Sequence, residues 1–480
     1  MDGVPAVQQC PIAPGKTYTY RFLADLYGTS WYHSHYSQQY TVGINGAMII
    51  HGPKNYDYDI DLGPILLQDH YHKEYFELVQ ETMTPGSSPG VSIGAGTSDN
   101  NLINGKNNFN CSSVQTTNPC ISNAGISKFN FQQGKWHRLR LINAGAEGLQ
   151  HFSIDGHEME IIAADFVPMV KSTHQVVSMH IGQRMDVLVY GSGQPGESYW
   201  MRSTIQACSG AANPVALAAV LYPGANQGDP PTTQAWPDTL IPCQDLDASF
   251  LTPFYPETPQ PPAESHSYEI TFGPNATGNW LWHVNNVSYR GYYDVPTLLM
   301  TKAVRNTMQP YPFEPFYNAY VVNPANDTSQ TVLWHFQNTV AVAHPIHFHG
   351  HNMYLLAQGT GVWNGTVTSN PNPPRRDVYV LPALGHLVFS YNATNPGVWP
   401  MHCHIAFHVS AGFFLQTVEQ SGWIQQYMNI PASAAQQCRE WWQYSGHNIV
   451  PLRSPSVLNS RSPRLILDYK VGSTSCLSSI

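Results

Sequence analysis

Apolar and polar residues alternate along most of the chain in short runs, and helical spacing is scarce. Six runs show the pattern: KTYTYRFLA, GAMIIHG, HRLRLINA, MDVLVYG, TVLWHFQN and HLVFSYNA. Glycine, proline and asparagine bound these runs at roughly ten-residue intervals, which is typical of β-sandwiches. The pattern therefore predicts an all-β protein built from sandwich units.

Two segments depart from this pattern. After Pro431 the run ASAAQQCREWWQYSGH is rich in alanine and glutamine, which favours a short helix near the C-terminus. Residues 225–265 are rich in proline and read as a connection between two larger blocks. We therefore expect three domains, at residues 1–61, 62–224 and 225–480, with the connection at the start of the third.

A repeated spacing marks the two ends of the chain. Residues 28–43 and 397–412 both read Gly-x4-His-x-His-x7-Gly. A second, shorter repeat is GHEM at 156–159 and GHNM at 350–353. The middle unit has GESYWMRSTIQ where its His-x-His pair would stand. The outer units are thus predicted to carry the chemistry, and the middle unit to separate them.

Composition narrows the classes of function. Charged residues make up 11 % of the chain, against about 25 % in an average globular protein. The formal charge is −9 and no basic cluster stands out, so we expect no nucleic-acid partner. No apolar run is long enough to cross a bilayer, so we expect no membrane partner either.

Glycosylation triplets and cysteines indicate the compartment. Six Asn-x-Ser/Thr triplets together favour a secreted glycoprotein, at Asn110, Asn275, Asn286, Asn326, Asn364 and Asn392. If Cys403 is reserved for chemistry, seven cysteines remain and Cys476 is the odd one. The possible disulfides stay open: Cys111 with Cys120, Cys208 with Cys243, and Cys10 with a distant partner such as Cys438. The start MDGVPAVQQC contains no signal peptide, so we expect that the N-terminus is lost or that Met1 is an internal methionine.

The run HCHIAFH concentrates potential metal ligands between residues 402 and 408. Because side chains alternate on a strand, His402 and His404 share one face and Cys403 points to the other. Consecutive Cα atoms lie about 3.8 Å apart. The backbone beside Cys403 is therefore expected to connect one metal centre to the next.

The same alternation applies to two other His-x-His pairs, His33 with His35 and His347 with His349. A thiolate with two imidazoles and a weak or absent axial group is typical of a blue-copper electron-transfer centre. Cys403 and His408 would form one with a histidine from another strand, best His344.

Zinc binding, nucleophilic catalysis and purely structural roles are the alternatives to copper for these residues. Zinc favours closed sites with more thiolates than one, and a Cys–His nucleophile needs a third orienting residue rather than many histidines. Isolated histidines are more often structural, which we apply to His70, His72, His137, His151, His157, His174, His180 and His447. Three His-x-His pairs beside one thiolate favour metal binding.

The motifs GTSWYHSH, HPIHFHGH and HCHIAFHVSAGF resemble three of the four copper-binding motifs of multicopper oxidases, most of all those of fungal, ascomycete-type laccases. The resemblance covers nearly the whole chain and implies three cupredoxin-like Greek-key domains, of which the first is incomplete. It implies a type 1 copper on His344, Cys403 and His408. It also implies a type 2 copper on His347 and a type 3 copper pair on His33, His35, His349, His402 and His404.

The resemblance also implies an activity. Phenols or aromatic amines would give up one electron at a time near His408, and four electrons would pass through Cys403 to reduce dioxygen to two waters. The expected partners are small aromatic substrates and dioxygen, and a monomer is expected. The axial position is Phe413, which cannot coordinate copper, so a relatively high reduction potential is expected.

Three carboxylates are candidates for proton transfer. By resemblance, Asp2 and Asp377 lie where the family keeps acids near the type 2 and type 3 coppers. The alternative for Asp377 is an ion pair with Arg375 or Arg376. Asp165 lies near the position of the acid that accepts the phenol proton in many laccases, and its alternative is an ordinary loop or strand-end acid.

The N-terminus departs from the family pattern. The family's first motif, His-Trp-His-Gly, supplies two histidines that this sequence lacks, and its start at MDGVPAVQQCPI resembles the tail of that motif. We therefore expect an incomplete record of a secreted laccase-type oxidase that binds four copper ions in its full form. The alternatives are a copper-binding protein with a type 1 site but no competent cluster, or another multicopper oxidase such as a ferroxidase.

Overall fold

The computed structural model describes residues 2–84, 96–114, 118–304, 311–323 and 330–446. These residues form two complete β-sandwiches, preceded by a smaller N-terminal segment. The N-terminal segment contains one two-stranded antiparallel sheet, made by β1 (Gly28–His33) and β2 (Asn45–Ile50). A 3₁₀ turn at Gln39–Val42 connects the two strands.

The first sandwich spans the middle of the chain. Its strands are β3 (Ile60–His70), β4 (Ser98–Ile103), β5 (Ser127–Asn130), β6 (Trp136–Asn143), β7 (Gln150–Ile154), β8 (Met159–Ala164), β9 (Val167–His174), β10 (Val176–Met179), β11 (Arg184–Tyr190), β12 (Ser198–Ile205), β13 (Ala211–Asn213) and β14 (Val215–Leu221). They form a seven-stranded sheet in the order β13-β4-β3-β6-β11-β8-β9 and a five-stranded sheet in the order β10-β7-β12-β14-β5. Alternate side chains from both sheets fill a shared apolar core.

The second sandwich follows. Its strands are β15 (Glu264–Pro274), β16 (Trp280–Val284), β17 (Ala319–Val322), β18 (Thr331–Asn338), β19 (His344–Phe348), β20 (Met353–Thr360), β21 (Arg375–Arg376), β22 (Val378–Leu381), β23 (Gly385–Asn392), β24 (Gly397–Cys403) and β25 (Phe414–Glu419). One sheet has the order β16-β15-β18-β23-β20-β21, and the other has the order β17-β25-β24-β19-β22. Parallel and antiparallel pairs occur in both sandwiches, as crossover connections require.

Helices are short and lie outside the sheets. They are α1 (Tyr75–Thr82), α2 (Thr297–Ala303), α3 (Ala406–Ser410), α4 (Ser421–Gln426) and α5 (Ala432–Ser445), with further 3₁₀ turns at Cys111–Ser113, Ala248–Phe250 and Pro315–Tyr317. The predicted C-terminal helix is confirmed as α5, which Gly446 ends with a left-handed φ of 60°. No helix among the described ranges is both long and apolar enough to span a membrane.

Five of the six apolar runs lie on strands, but the prediction for KTYTYRFLA is wrong. Residues 16–24 form no strand. Phe22 and Leu23 are 64 % and 85 % exposed, and no described strand pairs with this segment. Alternation alone does not hold a strand without a partner or a buried face.

The proline-rich connection behaves as predicted, since residues 225–263 contain no strand and one short 3₁₀ turn. The disulfides are Cys10–Cys438, Cys111–Cys120 and Cys208–Cys243. Cys403 is the free cysteine of the described residues, and Cys476 lies outside them. The domain boundaries themselves stay a prediction.

The repeated glycine spacing has a common physical cause. Gly43 and Gly412, which end the two repeats, have φ of 95° and 99°. Side chains other than glycine rarely adopt this conformation. A Cβ on Gly412 would also clash with Ser288 Oγ. Each glycine lets the chain turn sharply eight residues after a His-x-His pair.

Candidate metal centres

Two groups of potential metal ligands lie on opposite faces of β24. The first, the cysteine triad, consists of His344, Cys403 and His408. Cys403 Sγ lies 3.4 Å from His408 Nδ1 and 3.7 Å from His344 Nδ1, and the two nitrogens lie 3.1 Å apart. Ligand atoms bound at about 2.0–2.3 Å to one metal ion lie roughly 3–4 Å from one another. The triad therefore fits a single metal ion.

Strand register explains how the triad assembles. β19 and β24 run antiparallel, with Ile346 opposite Cys403 and His347 opposite His402. His344 and Ile346 are two residues apart, so both face the side to which Cys403 points. His408 reaches the same side from α3, which follows the strand after a turn at His404 and Ile405.

The triad is enclosed by apolar side chains. Its three residues are at most 1 % exposed. The Trp282 ring lies 4.6 Å from the His344 ring and 4.5 Å from the His408 ring, and Phe413 lies 4.9 Å from His344. Burial raises the pKa of the Cys403 thiol and lowers the pKa of His344. A bound cation would reverse the penalty on the thiolate, because a coordinating thiol is deprotonated.

The second group is the histidine cluster: His33, His35, His347, His349, His402 and His404. The nitrogens of His35, His349 and His402 all lie within 4.8 Å of one another. The His349 and His402 Nε2 atoms are 3.1 Å apart. The His347 ring lies 5.6 Å from that of His404 and 5.7 Å from that of His402, and the rings of His33 and His404 are 5.4 Å apart.

Hydrogen bonds fix the ring orientation of four cluster members. Nδ1 of His347 lies 2.9 Å from the Asp377 carbonyl oxygen, and Nδ1 of His402 lies 2.7 Å from that of Cys403. Nδ1 of His33 faces the Ser34 carbonyl, and Nδ1 of His349 faces the Asp2 carboxylate at 2.6 Å. Each Nδ1 therefore donates, which leaves Nε2 deprotonated and able to bind a metal ion.

The remaining two members have unsatisfied nitrogens. His35 Nε2 and His404 Nδ1 are buried and have no partner within the described residues. A buried polar atom without a partner costs roughly 1–3 kcal/mol. Metal coordination would satisfy both atoms, so the cluster fits metal ions as the triad does.

Burial favours the neutral form of five of the cluster histidines. Burial lowers the pKa of His402 to about 3 and that of His33 to about 4, with neighbouring imidazoles adding to both shifts. The pKa values of His35, His347 and His404 also lie well below the ordinary value for the same reasons. Neutral imidazole is the form that binds transition metals.

Other parts of the molecule hold the segment that joins the two groups. The Tyr40 hydroxyl donates to the His404 carbonyl at 3.1 Å, and Gln38 Nε2 donates to the Ala406 carbonyl at 3.0 Å. Ala406 N–H donates to the Ala146 carbonyl of the first sandwich at 2.9 Å. Gly182 packs closely against His404, since a Cβ on Gly182 would lie 2.5 Å from the His404 ring.

Asp2 and Asp377 both lie next to cluster histidines. Burial would raise the pKa of Asp2, but attraction and a hydrogen bond to His349, together with smaller contributions from neighbouring groups, outweigh burial and lower that pKa. Asp377 accepts two hydrogen bonds from Arg184, at 2.5 and 2.7 Å. Burial raises the pKa of Asp377 to about 6; Arg184 opposes this shift and the charge of Asp165 adds to it.

Asp165 lies inside an ion network. It accepts from Nε and Nη2 of Arg376 at 3.0 Å and from the backbone N–H groups of Arg184 and Asp377. Burial disfavours its charge, but Arg376 and Arg184 overcome that and lower its pKa to about 2. Such a carboxylate is a poor proton acceptor. The geometry favours the alternative that Asp165 is a structural acid. The sequence did not reveal its two arginine partners.

The sequence pattern missed Arg184, which pairs with Asp377 across 193 residues of chain. Arg375 instead contacts Glu257, at 2.8 Å. Several of the remaining histidines have partners typical of structural roles: His72 pairs with Asp99, His151 with Asp238 and His157 with Tyr222. His447 lies outside the described residues.

The chain matches three multicopper oxidase family models, over residues 1–55, 61–225 and 293–422. It is 36 % identical to Oxidoreductase OpS5 of Beauveria bassiana, over 92 % of this chain and 73 % of that protein. It is 38 % identical to Laccase-1 of Botryotinia fuckeliana, over 87 % of this chain and 70 % of that protein.

A solved structure agrees with the fold. The crystal structure of laccase from Botrytis aclada superimposes with a TM-score of 0.81 at 33 % identity, and covers 92 % of this chain and 79 % of that one. The superposition spans both sandwiches and the N-terminal segment, which supports their cupredoxin-like architecture.

Proposed function

Because the chain belongs to the multicopper oxidase family, as a copper-dependent oxidoreductase of the laccase type, we propose that it couples four one-electron oxidations of phenols or aromatic amines to the reduction of dioxygen to two waters. His344, Cys403 and His408 would hold a type 1 copper. His347 would bind the type 2 copper, and the other five cluster histidines would bind the type 3 pair.

One observation carries this proposal. Cys403 of the triad lies between His402 and His404 of the cluster, so the two groups of ligands are joined by two peptide bonds. The bond from His402 Nδ1–H to the Cys403 carbonyl adds a second connection of 2.7 Å. A zinc site or a cysteine nucleophile would need no such link between a thiolate and six imidazoles.

Bound copper would supply reversible one-electron chemistry at the triad and dioxygen chemistry at the cluster. The chain's own residues do the rest. Trp282 and Phe413 exclude water from the triad. The Nδ1 hydrogen bonds orient the cluster rings, and Arg184 holds Asp377 beside His347. With a pKa of about 6, Asp377 can exchange a proton near neutral pH.

The proposal is tested by loading the purified chain with copper and recording its spectrum and its dioxygen uptake with a phenol. We expect a blue band at about 600 nm, typical of copper–thiolate sites, together with phenol-dependent uptake. A blue band without uptake would favour the alternative of a copper-binding protein whose cluster is not competent. The absence of both signals would contradict the proposal.

Ferrous iron is the control substrate. A ferroxidase needs carboxylates near the type 1 histidines, whereas the rings that pack on His344 in the described structure are those of Trp282, Phe413 and His408. We therefore expect turnover on phenols to exceed turnover on ferrous iron. The reverse ratio, measured on the same preparation, would assign the chain to the ferroxidase alternative.

We further propose that the protein is secreted and glycosylated and acts as a monomer. Three disulfides fit an oxidising compartment. Asn110, Asn275, Asn364 and Asn392 are among the triplet asparagines that the structure leaves exposed, and Asn326 lies outside the described residues. A mass decrease on glycosidase treatment of secreted protein tests glycosylation, and light scattering tests the monomer.

A further inference from the structure

A line of aromatic side chains runs from a cluster ligand to the protein surface. Tyr36 directly follows His35, and its ring stacks on Tyr293 at 4.7 Å. Trp441 lies 6.0 Å from Tyr36 and 6.1 Å from Tyr293, measured between ring centroids. Tyr444 lies 5.7 Å beyond Trp441 and is 61 % exposed. We call these four residues the aromatic line.

Three of the four members of the aromatic line pack against a disulfide. Tyr36, Tyr293 and Trp441 pack into one apolar cluster around the Cys10–Cys438 disulfide. Trp441 is 8 % exposed and, like Tyr444, belongs to α5. The link from His35 to Tyr36 is the peptide backbone between adjacent residues, which is the same kind of link that joins Cys403 to its neighbouring histidines.

A buried carboxylate beside Trp441 favours one-electron oxidation of this indole. Trp441 Nε1–H donates to Asp294 Oδ1 at 2.7 Å, and Asp294 is 7 % exposed. An indole that loses one electron becomes a cation with an acidic N–H. A nearby anion in a low-dielectric setting stabilises that cation and can accept its proton.

A second aromatic pair near the cluster, Trp31 and Tyr40, does not lead to the protein surface through ring contacts of the described residues. Trp31 lies 4.3 Å from the His33 ring and 5.9 Å from Tyr40. Within the described residues, the remaining ring contacts of Trp31 and Tyr40 lead back to His33 and His404. Both are buried, with exposures of 8 % and 6 %.

We propose that the aromatic line is a second electron route, by which phenolic reductants at Tyr444 supply electrons to the cluster without using the triad. The route rests on the proposed oxidase function, because it needs a cluster that dioxygen keeps oxidising. The route would operate when no reducing substrate supplies electrons to the triad. It would then prevent oxidation of the cluster's own ligands.

Electrons and protons balance along this route. Trp441 loses one electron, which reaches the cluster across the Tyr293 and Tyr36 rings, and its Nε1 proton moves to Asp294 Oδ1. Tyr444 then returns one electron to Trp441 and releases its phenolic proton to water, while Asp294 returns the indole proton. A phenol in solution finally gives one hydrogen atom to the Tyr444 radical.

Burial raises the pKa of Tyr293 to about 12, so this phenol stays protonated. Tyr293 is therefore a bridge in the route rather than a site where the radical rests.

Radical trapping on the full copper-loaded chain tests this inference. The chain is exposed to dioxygen with limiting phenol and a nitroso spin trap, and adducts are mapped by peptide mass spectrometry. We expect an adduct on Tyr444 that is lost in Trp441→Phe and in Tyr444→Phe. Asp294→Asn, which removes the charge but keeps the shape, should reduce it.

Trp442→Phe is the matched control, because Trp442 is the neighbouring indole of α5 and also donates to residue 294, at its carbonyl oxygen. It should retain the Tyr444 adduct. An adduct that persists in Trp441→Phe, or that forms on the copper-free chain, would overturn the route. Since Tyr444 is exposed, its variant separates loss of the route from misfolding.

Dioxygen uptake measured on the same samples separates the two proposals. Uptake without any Tyr444 adduct overturns the aromatic route and leaves the oxidase function standing. Absence of uptake overturns the oxidase function and, with it, the route.

Discussion

The cysteine triad and the histidine cluster are assembled in different ways. All three triad residues come from one sandwich, within residues 344–408, and are almost fully buried. The cluster takes His33 and His35 from the N-terminal segment and its other four histidines from the second sandwich. Long-range bonds such as Tyr40 to His404 and Asp2 to His349 hold it together. The triad is thus a property of one sandwich, whereas the cluster depends on how the N-terminal segment and the second sandwich meet.

The largest expected effect comes from removing the Cys403 sulfur, through which the triad would pass electrons to the cluster. Cys403→Ser replaces the thiolate with a poor copper ligand, so we expect the blue band and phenol-dependent dioxygen uptake both to fall to background. Absorption spectra and an oxygen electrode measure this. A blue band in the variant would mean that another thiol holds the copper.

His35→Ala is expected to separate the function of the histidine cluster from that of the cysteine triad. It removes a cluster ligand and touches none of the triad, so dioxygen uptake should be lost while the blue band keeps its intensity. Copper content and the spectrum are measured on the same sample. Equal loss of the band would show that the triad is not independent of the N-terminal segment.

Removing the charge of Asp165 should lower the free energy of unfolding, because Asp165 pairs with Arg376 across the contact between the two sandwiches. Asp165→Asn leaves Arg376 buried beside a neutral partner, which costs about 3–5 kcal/mol for a buried pair. Chemical denaturation followed by fluorescence measures this. Glu257→Gln, at the exposed partner of Arg375, is the control and should cost at most about 1 kcal/mol.

The same pair predicts a pH dependence. The folded-state pKa of Asp165, about 2, lies below its ordinary value of 3.8. Its charge therefore contributes stability above pH 3.8 that is lost as the pH falls towards 2. Linkage gives roughly 1–2 kcal/mol. Denaturation midpoints measured across this window should fall less in Asp165→Asn, and an equal fall would contradict the assignment.

The smallest change is expected within the triad itself. Phe413 lies beside His344 and cannot bind copper, whereas an axial methionine would lower the reduction potential. Phe413→Met should therefore lower the potential of the blue site in a redox titration while the band persists. An unchanged or raised potential would count against the axial assignment.

The sequence predicted which histidines lie close together, because each His-x-His pair is a local pattern whose faces follow from strand alternation. Their role as copper ligands stays a prediction. The sequence also predicted the β-rich fold and α5. It could not predict the Arg184–Asp377 and Arg376–Asp165 pairs, whose members lie 193 and 211 residues apart. Nor could it show that KTYTYRFLA lacks a partner strand, since pairing depends on tertiary structure.

The role of Asp165 shows the same limit. Its position in IIAADFVP favoured an acid near the substrate, but the structure surrounds its carboxylate with two arginines and three backbone N–H groups. Burial and ion pairing of this kind arise between domains and leave no local signal in the sequence.

The central claim is that the triad and the cluster act as one unit through β24. The most direct test reduces the copper-loaded chain with a phenol in the absence of dioxygen and removes the excess phenol. Dioxygen is then admitted while the band at about 600 nm is followed. We predict that the band bleaches and then returns, and that it fails to return in His35→Ala. A bleached band that stays bleached in the unmodified chain would contradict the account.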